Sequence, residues 1–346
     1  MSAAPSLTWG GRTITSSPGG LPAVAVSLTG PTAARARVQA RHAIDSGADV
    51  VELRVDLLEE ADALVGFAEA SAAAASASAS ILAPTAAGSV GPATSPAFAG
   101  RRGPIGSGNG PDGESGEEAA GEGEEPPAPD PMVVATAAAQ VLECLRRMID
   151  VVDGAPLLLT CRTATEGGRA HLDDAGYGAV LGAVLDELAD WAPERRPAAI
   201  DVEVQRGCLP RVSEQAQELG IDVVASFHDF KATPADTSLE EVLVRMVNEG
   251  ANLAKIAVWP TSADDVARLL GVCARATEAL GEGTGLGVPV AAMSMGSLGA
   301  VSRVAPAFGT ALTFAVVPDA QGETQASAPG QLPIQDVRRC LELLRV

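Results

Sequence analysis

At 346 residues and 47% hydrophobic content, the chain is long enough for one large domain or two ordinary ones and apolar enough to fill a core. Its 44 acidic against 24 basic residues leave a net charge of -20, which argues against holding nucleic acid or an anionic membrane by bulk electrostatics and points to a small ligand. Five widely spaced cysteines without a CxxC or His-paired zinc pattern argue against a cysteine metal site, and no apolar run reaches the length of a membrane span.

The opening stretch "MSAAPSLTWGGRTITSSPGG" lacks the basic and apolar regions of a leader, so the chain reads as a reduced, cytoplasmic protein. Within it, "LTWGGRTITSSPGG" has hairpin character and is expected to plug one end of the domain that follows. Short apolar runs then alternate with amphipathic stretches. The runs are "AVAVSLT" (23–29), "VVELRVD" (50–56), "PLLLTCRT" (156–163), "AAIDVEV" (198–204), "DVVASFHDF" (222–230), "LAKIAVWP" (253–260), "PVAAMSM" (289–295) and "ALTFAVV" (311–317). Between them lie helical patterns such as "AARARVQARHAIDSGA", "YGAVLGAVLDELADWA" and "SADDVARLLGVCARATEAL", several ending at Gly; only "QRGCLPRVSEQAQELGI" reads as a short helix. Eight strand-then-helix units imply an α/β fold with a parallel sheet, a (β/α)8 TIM barrel spanning 1–346 as one domain, with a doubly wound open sheet as the alternative.

One segment breaks the alternation. Between residues 67 and 131 the composition turns to Ala, Ser, Gly, Pro and Glu, as in "GPIGSGNGPDGESGEEAAGEGEEPPAPDP", with few large apolar groups to offset the entropy of ordering. It reads as a disordered, acidic insertion extruded from the barrel. The glycine stretch "GEGTGLG" (281–287) does not match GxGxxG and reads as a loop.

Parallel strands covered by helices should be apolar on both faces, so charges of a single parity need a reason. In "VVELRVD", Val51, Leu53 and Val55 share one face while Glu52, Arg54 and Asp56 share the other. Arg162 continues the face of Leu158 and Thr160, Asp201 and Glu203 are in phase, His228 is in phase with Ser226, and Lys255 with Leu253 and Ala257. In a barrel these faces converge inward. Asp201 and Asp56 fit either a site or an ion-pair network that fills the barrel.

Lys255 stands out because it and Lys231 are the only two lysines. Near the end of a strand and walled by aliphatic groups, it is expected to have a lowered pKa and to attack a carbonyl, forming an imine. A proton-transfer group should lie close, and His228, alone among the three histidines, ends a strand, one strand before Lys255. Further polar groups follow the strands: Glu166 with Gly167 and Gly168 in "CRTATEGG", Ser302 and Arg303 in a helix opened by Gly296 and Gly299, and Ser327 and Gln331 in "SAPGQ".

Taken in order, "VELRVD", "CRTATEGG", "SFHDF", "AKIAVWP", "MSMGSLGAVSR" and "SAPGQ" closely resemble type I 3-dehydroquinate dehydratase from about Ala23 to the C-terminus, the insertion excepted. The resemblance implies a shikimate-pathway lyase that dehydrates 3-dehydroquinate to 3-dehydroshikimate through a Schiff base, as a homodimer, with neither metal nor organic cofactor. It implies Lys255 as the nucleophile, His228 as general acid and base, and Glu166 as the group that orients or tunes the histidine. Glu52, Arg54, Arg162, Arg303, Ser327 and Gln331 match substrate-contacting positions, with Arg303 expected on the substrate carboxylate. Competing readings are a class I aldolase, which would need a phosphate loop and a second acid in place of "SFHDF" and "SAPGQ", and a non-catalytic dehydroquinate-binding regulator, which would be expected to lack Lys255 or His228.

Overall fold

The computed structural model of the chain describes residues 4–17, 19–73, 128–152, 154–278, 286–318 and 324–345. The expected insertion therefore lies outside the described residues over 74–127, as does the glycine loop over 281–285; residues 67–73, at the insertion's start, are helical.

All eight expected strands form, each within two residues of its apolar run at the start and up to three at the end. They are β3 (Ala23–Leu28), β4 (Val50–Arg54), β5 (Leu157–Thr160), β6 (Ala199–Glu203), β7 (Asp222–Asp229), β8 (Leu253–Val258), β9 (Val290–Ser294) and β10 (Leu312–Val316). They pair in parallel in the order β10-β3-β4-β5-β6-β7-β8-β9. The helices between them include α1 (Ala33–Asp45), α2 (Pro131–Ile149), α3 (Asp174–Ala189), α4 (Leu209–Glu218), α5 (Asp236–Asn248) and α6 (Ala263–Glu278), with α7 (Ile334–Leu343) at the end. Local chemistry starts several of them. Asp130 accepts from the Met132 and Val133 amides ahead of Pro131, and Asp173 accepts from Gly176 at 2.7 Å, satisfying donors that a helix leaves unpaired.

The curled sheet closes where β9 meets β10. The Ala311 amide donates to the Val290 carbonyl at 2.7 Å, and the Ala292 amide to Thr310 Oγ1 at 3.3 Å. Higher up, the short strand β11 (Leu332–Pro333) pairs in parallel with Ala315 and Val316 of β10. The barrel is thus joined at its base and split by β11 at its mouth, a departure from eight uninterrupted pairings that brings Gln331 to the rim.

Two apolar layers hold the barrel. Outward residues such as Val51, Leu53, Leu159, Ile200 and Ile256 pack with the helices in one cluster. Inward, the lower layer is aliphatic: Val50, Leu158, Ala199, Val224, Leu253, Ala291 and Leu312 form a second cluster with Trp9 and Ile14. These last two belong to the antiparallel hairpin β1 (Ser6–Trp9) and β2 (Arg12–Thr15), which plugs the base as expected. Trp9 is buried, and its indole Nε1 donates to Asp222 Oδ2 at 2.7 Å, so its one polar atom is satisfied. Two residues further along β4, β5, β6, β7 and β8 the inward face becomes polar, at Glu52, Thr160, Asp201, Ser226 and Lys255, while β9 and β10 continue with Met293 and Phe314; that second layer is the site.

Candidate active site

The charged faces converge above the aliphatic layer, around one cavity. It is lined by Lys255, His228, Glu166, Glu52, Arg54, Arg162, Arg303, Ser327 and Gln331, the nine residues expected from sequence, together with Ser27, Gly167, Phe230, Ala257, Met293, Met295, Phe314 and Ala328.

Lys255 lies third of six residues in β8, in the middle of the strand and not near its end. Nor are its walls simply aliphatic. Its Nζ stands 3.1 Å from Asp201 Oδ2, 3.7 Å from Glu52 Oε1 and 4.6 Å from the centroid of the Phe314 ring. Asp201 is wholly buried and also accepts from Arg162 Nη2 at 2.7 Å and Ser226 Oγ at 2.6 Å. Burial alone would raise its pKa; Arg162 and Lys255 outweigh that and hold it below the usual carboxylate range. Glu52 is fixed in turn by Ser27 Oγ and, at 2.9 Å, by Thr160 Oγ1.

The three arginines are not equivalent. Arg54 is clamped by Asp56 through two 2.8 Å bonds, from Nε and Nη2. Asp56 sits in a 3-10 turn (Val55–Leu57) and not in the expected strand, which ends at Arg54; there it also accepts from the Arg162 and Arg169 amides. Arg162 commits Nη1 to Glu203 at 3.1 Å and Ser226 Oγ at 2.9 Å, with Glu166 at 3.5 Å, besides the Asp201 bond. It organises the carboxylates under the cavity floor. Arg303 is 1% exposed, yet among the described residues it has no carboxylate partner: its guanidinium donates to the Phe314 carbonyl at 3.4 Å and the Pro329 carbonyl at 3.1 Å, and Nε is unsatisfied. Burial lowers its pKa to about 10, so it stays a cation at neutral pH.

The loop expected to open a helix at Gly296 forms only a 3-10 turn, Ala300–Val304. Ser302 does not face the cavity; its Oγ braces the end of β9 through the Ser294 amide at 2.9 Å. Across the mouth, Ser327 and Gln331 bond each other, Gln331 Nε2 donating to Ser327 Oγ at 3.0 Å. Their loop reaches Gly296 because residue 330 is glycine, at φ +81°, where a Cβ would overlap the Gly296 carbonyl.

His228 Nδ1 lies 2.8 Å from Glu166 Oε2, leaving Nε2 without a hydrogen-bond partner among the described residues. Burial, then the charges of Arg162, Lys255 and Arg54, push the His228 pKa well below its ordinary value, so the ring is neutral at pH 7. Burial raises Glu166 to about 8 against the pull of Arg162, with Glu203 and Asp201 adding to the rise, and its Oε1 has no partner. The pair thus behaves as one unit that holds a single proton near neutrality.

A carboxyl whose folded pKa exceeds its unfolded value adds stability that is complete below about pH 4.5 and lost as pH rises through about 8. The wild type should therefore lose thermal stability over that interval relative to Glu166→Gln. Melting curves of the two proteins that run parallel from pH 5 to pH 8 would show that Glu166 titrates no differently when folded.

Sequence reasoning did not single out Phe314, Phe230, Met293, Met295, Ser27 or Ala328. For Phe314 a signal existed: it shares parity with Leu312 on an inward face, in a chain with only six phenylalanines. Among the described residues no group of three or more His, Cys, Asp or Glu side chains is arranged to hold a metal ion, and no helix is long and apolar enough to cross a membrane.

The family model for type I 3-dehydroquinase matches residues 24–83 and 130–346, breaking off inside the low-complexity segment. The chain is 36% identical over 210 residues to the 3-dehydroquinate dehydratase of Klebsiella pneumoniae, covering 60% of this chain and 76% of that protein. It is also 36% identical over 201 residues to the enzyme of the same name from Methanosarcina barkeri, covering 57% and 76%. In fold it resembles the crystal structure of 3-dehydroquinate dehydratase from Geobacillus kaustophilus, with a TM-score of 0.66 at 23% identity over 99% of this chain and 98% of the other.

Proposed function

The chain belongs to the type I 3-dehydroquinase family and is therefore a lyase that dehydrates 3-dehydroquinate; on that premise we propose that the reaction runs through an imine on Lys255, with His228 as acid and base. The observation that carries this reading is the meeting of the amine of β8 with the Glu166-held imidazole of β7 in one buried cavity.

The Lys255 amine adds to the ketone, and water leaves as the protonated imine forms. That imine withdraws electrons from the neighbouring carbon, so the neutral His228 ring takes a proton there and the electron pair moves onto nitrogen as an enamine. Collapse of the enamine expels the β-hydroxyl, which leaves as water with the proton His228 returns. A second water then hydrolyses the imine and frees the amine. When ionised, Glu166 accepts from Nδ1–H, which leaves Nε2 free to take the proton.

Arg303 is the cation we assign to the substrate carboxylate, because Arg54 and Arg162 already carry carboxylates. Glu52, Ser327 and Gln331 supply donors and acceptors for ring hydroxyls. A charge-assisted bond contributes about 1.5–3 kcal/mol, so Arg303→Met should lower kcat/KM by about 10- to 150-fold, chiefly through KM. An unchanged KM would remove Arg303 from that role.

The direct test is intact mass after incubation with 3-dehydroquinate and borohydride. A reduced adduct that maps to Lys255 is the expected result, and no adduct in folded protein would count against the imine. From the family resemblance we also carry a cytoplasmic homodimer acting on this small molecule; the net charge of -20 supports the absence of nucleic-acid and anionic-membrane partners.

A further inference from the structure

Phe314 is inward-facing on β10 and 3% exposed, and its ring lies under the Lys255 amine, with Nζ 4.6 Å from the centroid. A cation within about 6 Å of an aromatic face is attracted by the ring's quadrupole, more strongly where water is excluded. The same residue's backbone carbonyl accepts from Arg303 Nη1 at 3.4 Å. One residue thus touches both the amine and the buried cation across the cavity.

The other partners of Nζ are carboxylates: Asp201 accepts from it at 3.1 Å, and Glu52 stands at ion-pair distance, 3.7 Å. An ammonium has three N–H donors, whereas a protonated imine has one. The amine that attacks a ketone is neutral, so forming the imine creates a buried cation with a single donor. A ring face needs no donor, and it gains an interaction with that charge as the imine forms.

Resting on the reading of Lys255 as the imine-forming amine, we propose that Phe314 is the positioning residue that holds the nitrogen over the cavity and stabilises the protonated imine through its ring face. It favours the imine over the non-covalent complex. It does not favour the enamine, which is neutral at that nitrogen, so its effect falls on imine formation and not on removal of the α-proton.

The test replaces Phe314 in the full chain with its mono-, di- and trifluorinated analogues, which keep the shape while draining the ring quadrupole, and adds Phe314→Leu as an apolar control without a quadrupole. The measured quantity is the 3-dehydroquinate concentration that gives half-maximal borohydride adduct on Lys255. A steady rise across the fluorine series, reaching about 5- to 30-fold, with Leu at least as impaired, is the expected result. A flat series while the unmodified protein still forms the adduct would reduce Phe314 to a packing residue and overturn the proposal alone. No adduct even with the natural side chain would overturn the imine reading, and this proposal with it.

Discussion

Replacing Lys255 with methionine should abolish turnover, by on the order of 10⁴-fold or more, equivalent to roughly 5.5 kcal/mol of transition-state stabilisation. The size follows from chemistry: without the amine no protonated imine forms, and a ketone alone acidifies its α-carbon only modestly. Methionine keeps most of the volume of the side chain in a buried, well-packed layer. The variant should fold, because Asp201 retains its 2.7 Å bond from Arg162 and its 2.6 Å bond from Ser226. Steady-state rates and a thermal melt measured side by side decide the point. Activity within tenfold of wild type, in a variant that melts normally, would exclude Lys255 as the nucleophile, since the only other lysine, Lys231, is exposed in the loop after β7.

The second large effect belongs to His228. Removing a positioned proton-transfer group typically costs 10²- to 10⁴-fold, and His228→Ala should lose about that in kcat. The amine remains, so the expected signature is slow turnover with a borohydride adduct still trapped on Lys255. Acid should inhibit the wild type by the same route: a proton on Glu166, raised to about 8, fixes the ring as the Nε2–H tautomer, and at lower pH the imidazole, held well below its ordinary pKa by burial and then by Arg162, Lys255 and Arg54, is itself protonated. A His228→Ala enzyme that keeps wild-type kcat, or an acid limb unchanged by the substitution, would assign proton transfer to another group.

Both effects arise because one layer of the barrel collects charge while the layer beneath it is dry. In β8 that change takes two residues, from Leu253 to Lys255; in β4 it runs from Val50 to Glu52, and in β6 from Ala199 to Asp201. The hairpin seals the apolar end with Trp9 and Ile14, which leaves the cavity open only on the side of the strand C-termini, where the loops bearing Glu166, Arg303, Ser327 and Gln331 arrive. Position in a parallel barrel thus sorts packing to one end and chemistry to the other.

Much of this was legible in the sequence. Inward and outward residues alternate with a period of two because the extended backbone imposes it locally, so the parity of "VVELRVD" or "LAKIAVWP" separated core from cavity before any contact was known. Strand runs, the hairpin and the nine cavity residues follow from such local rules and from six motifs that resemble one family. Where strands stopped was less legible: Asp56 leaves the sheet because a 3-10 turn takes Val55–Leu57, and there its carboxylate meets Arg54, two residues earlier, and the Arg162 and Arg169 amides from a distant loop.

Only the tertiary structure decided who pairs with whom. The sequence presents Arg54, Arg162 and Arg303 as alike, but Asp56 takes the first and Asp201 and Glu203 take the second, while the third is buried with carbonyls alone. Likewise Phe314 meets Lys255 although they lie on strands that are not neighbours in the hydrogen-bonded order, and Asp222 meets Trp9 across 213 residues of chain. The stagger between strands and the curl of the sheet set these meetings. Both depend on how the whole barrel packs, whereas periodicity and capping depend on a few adjacent residues, and only the latter can be read from the sequence itself.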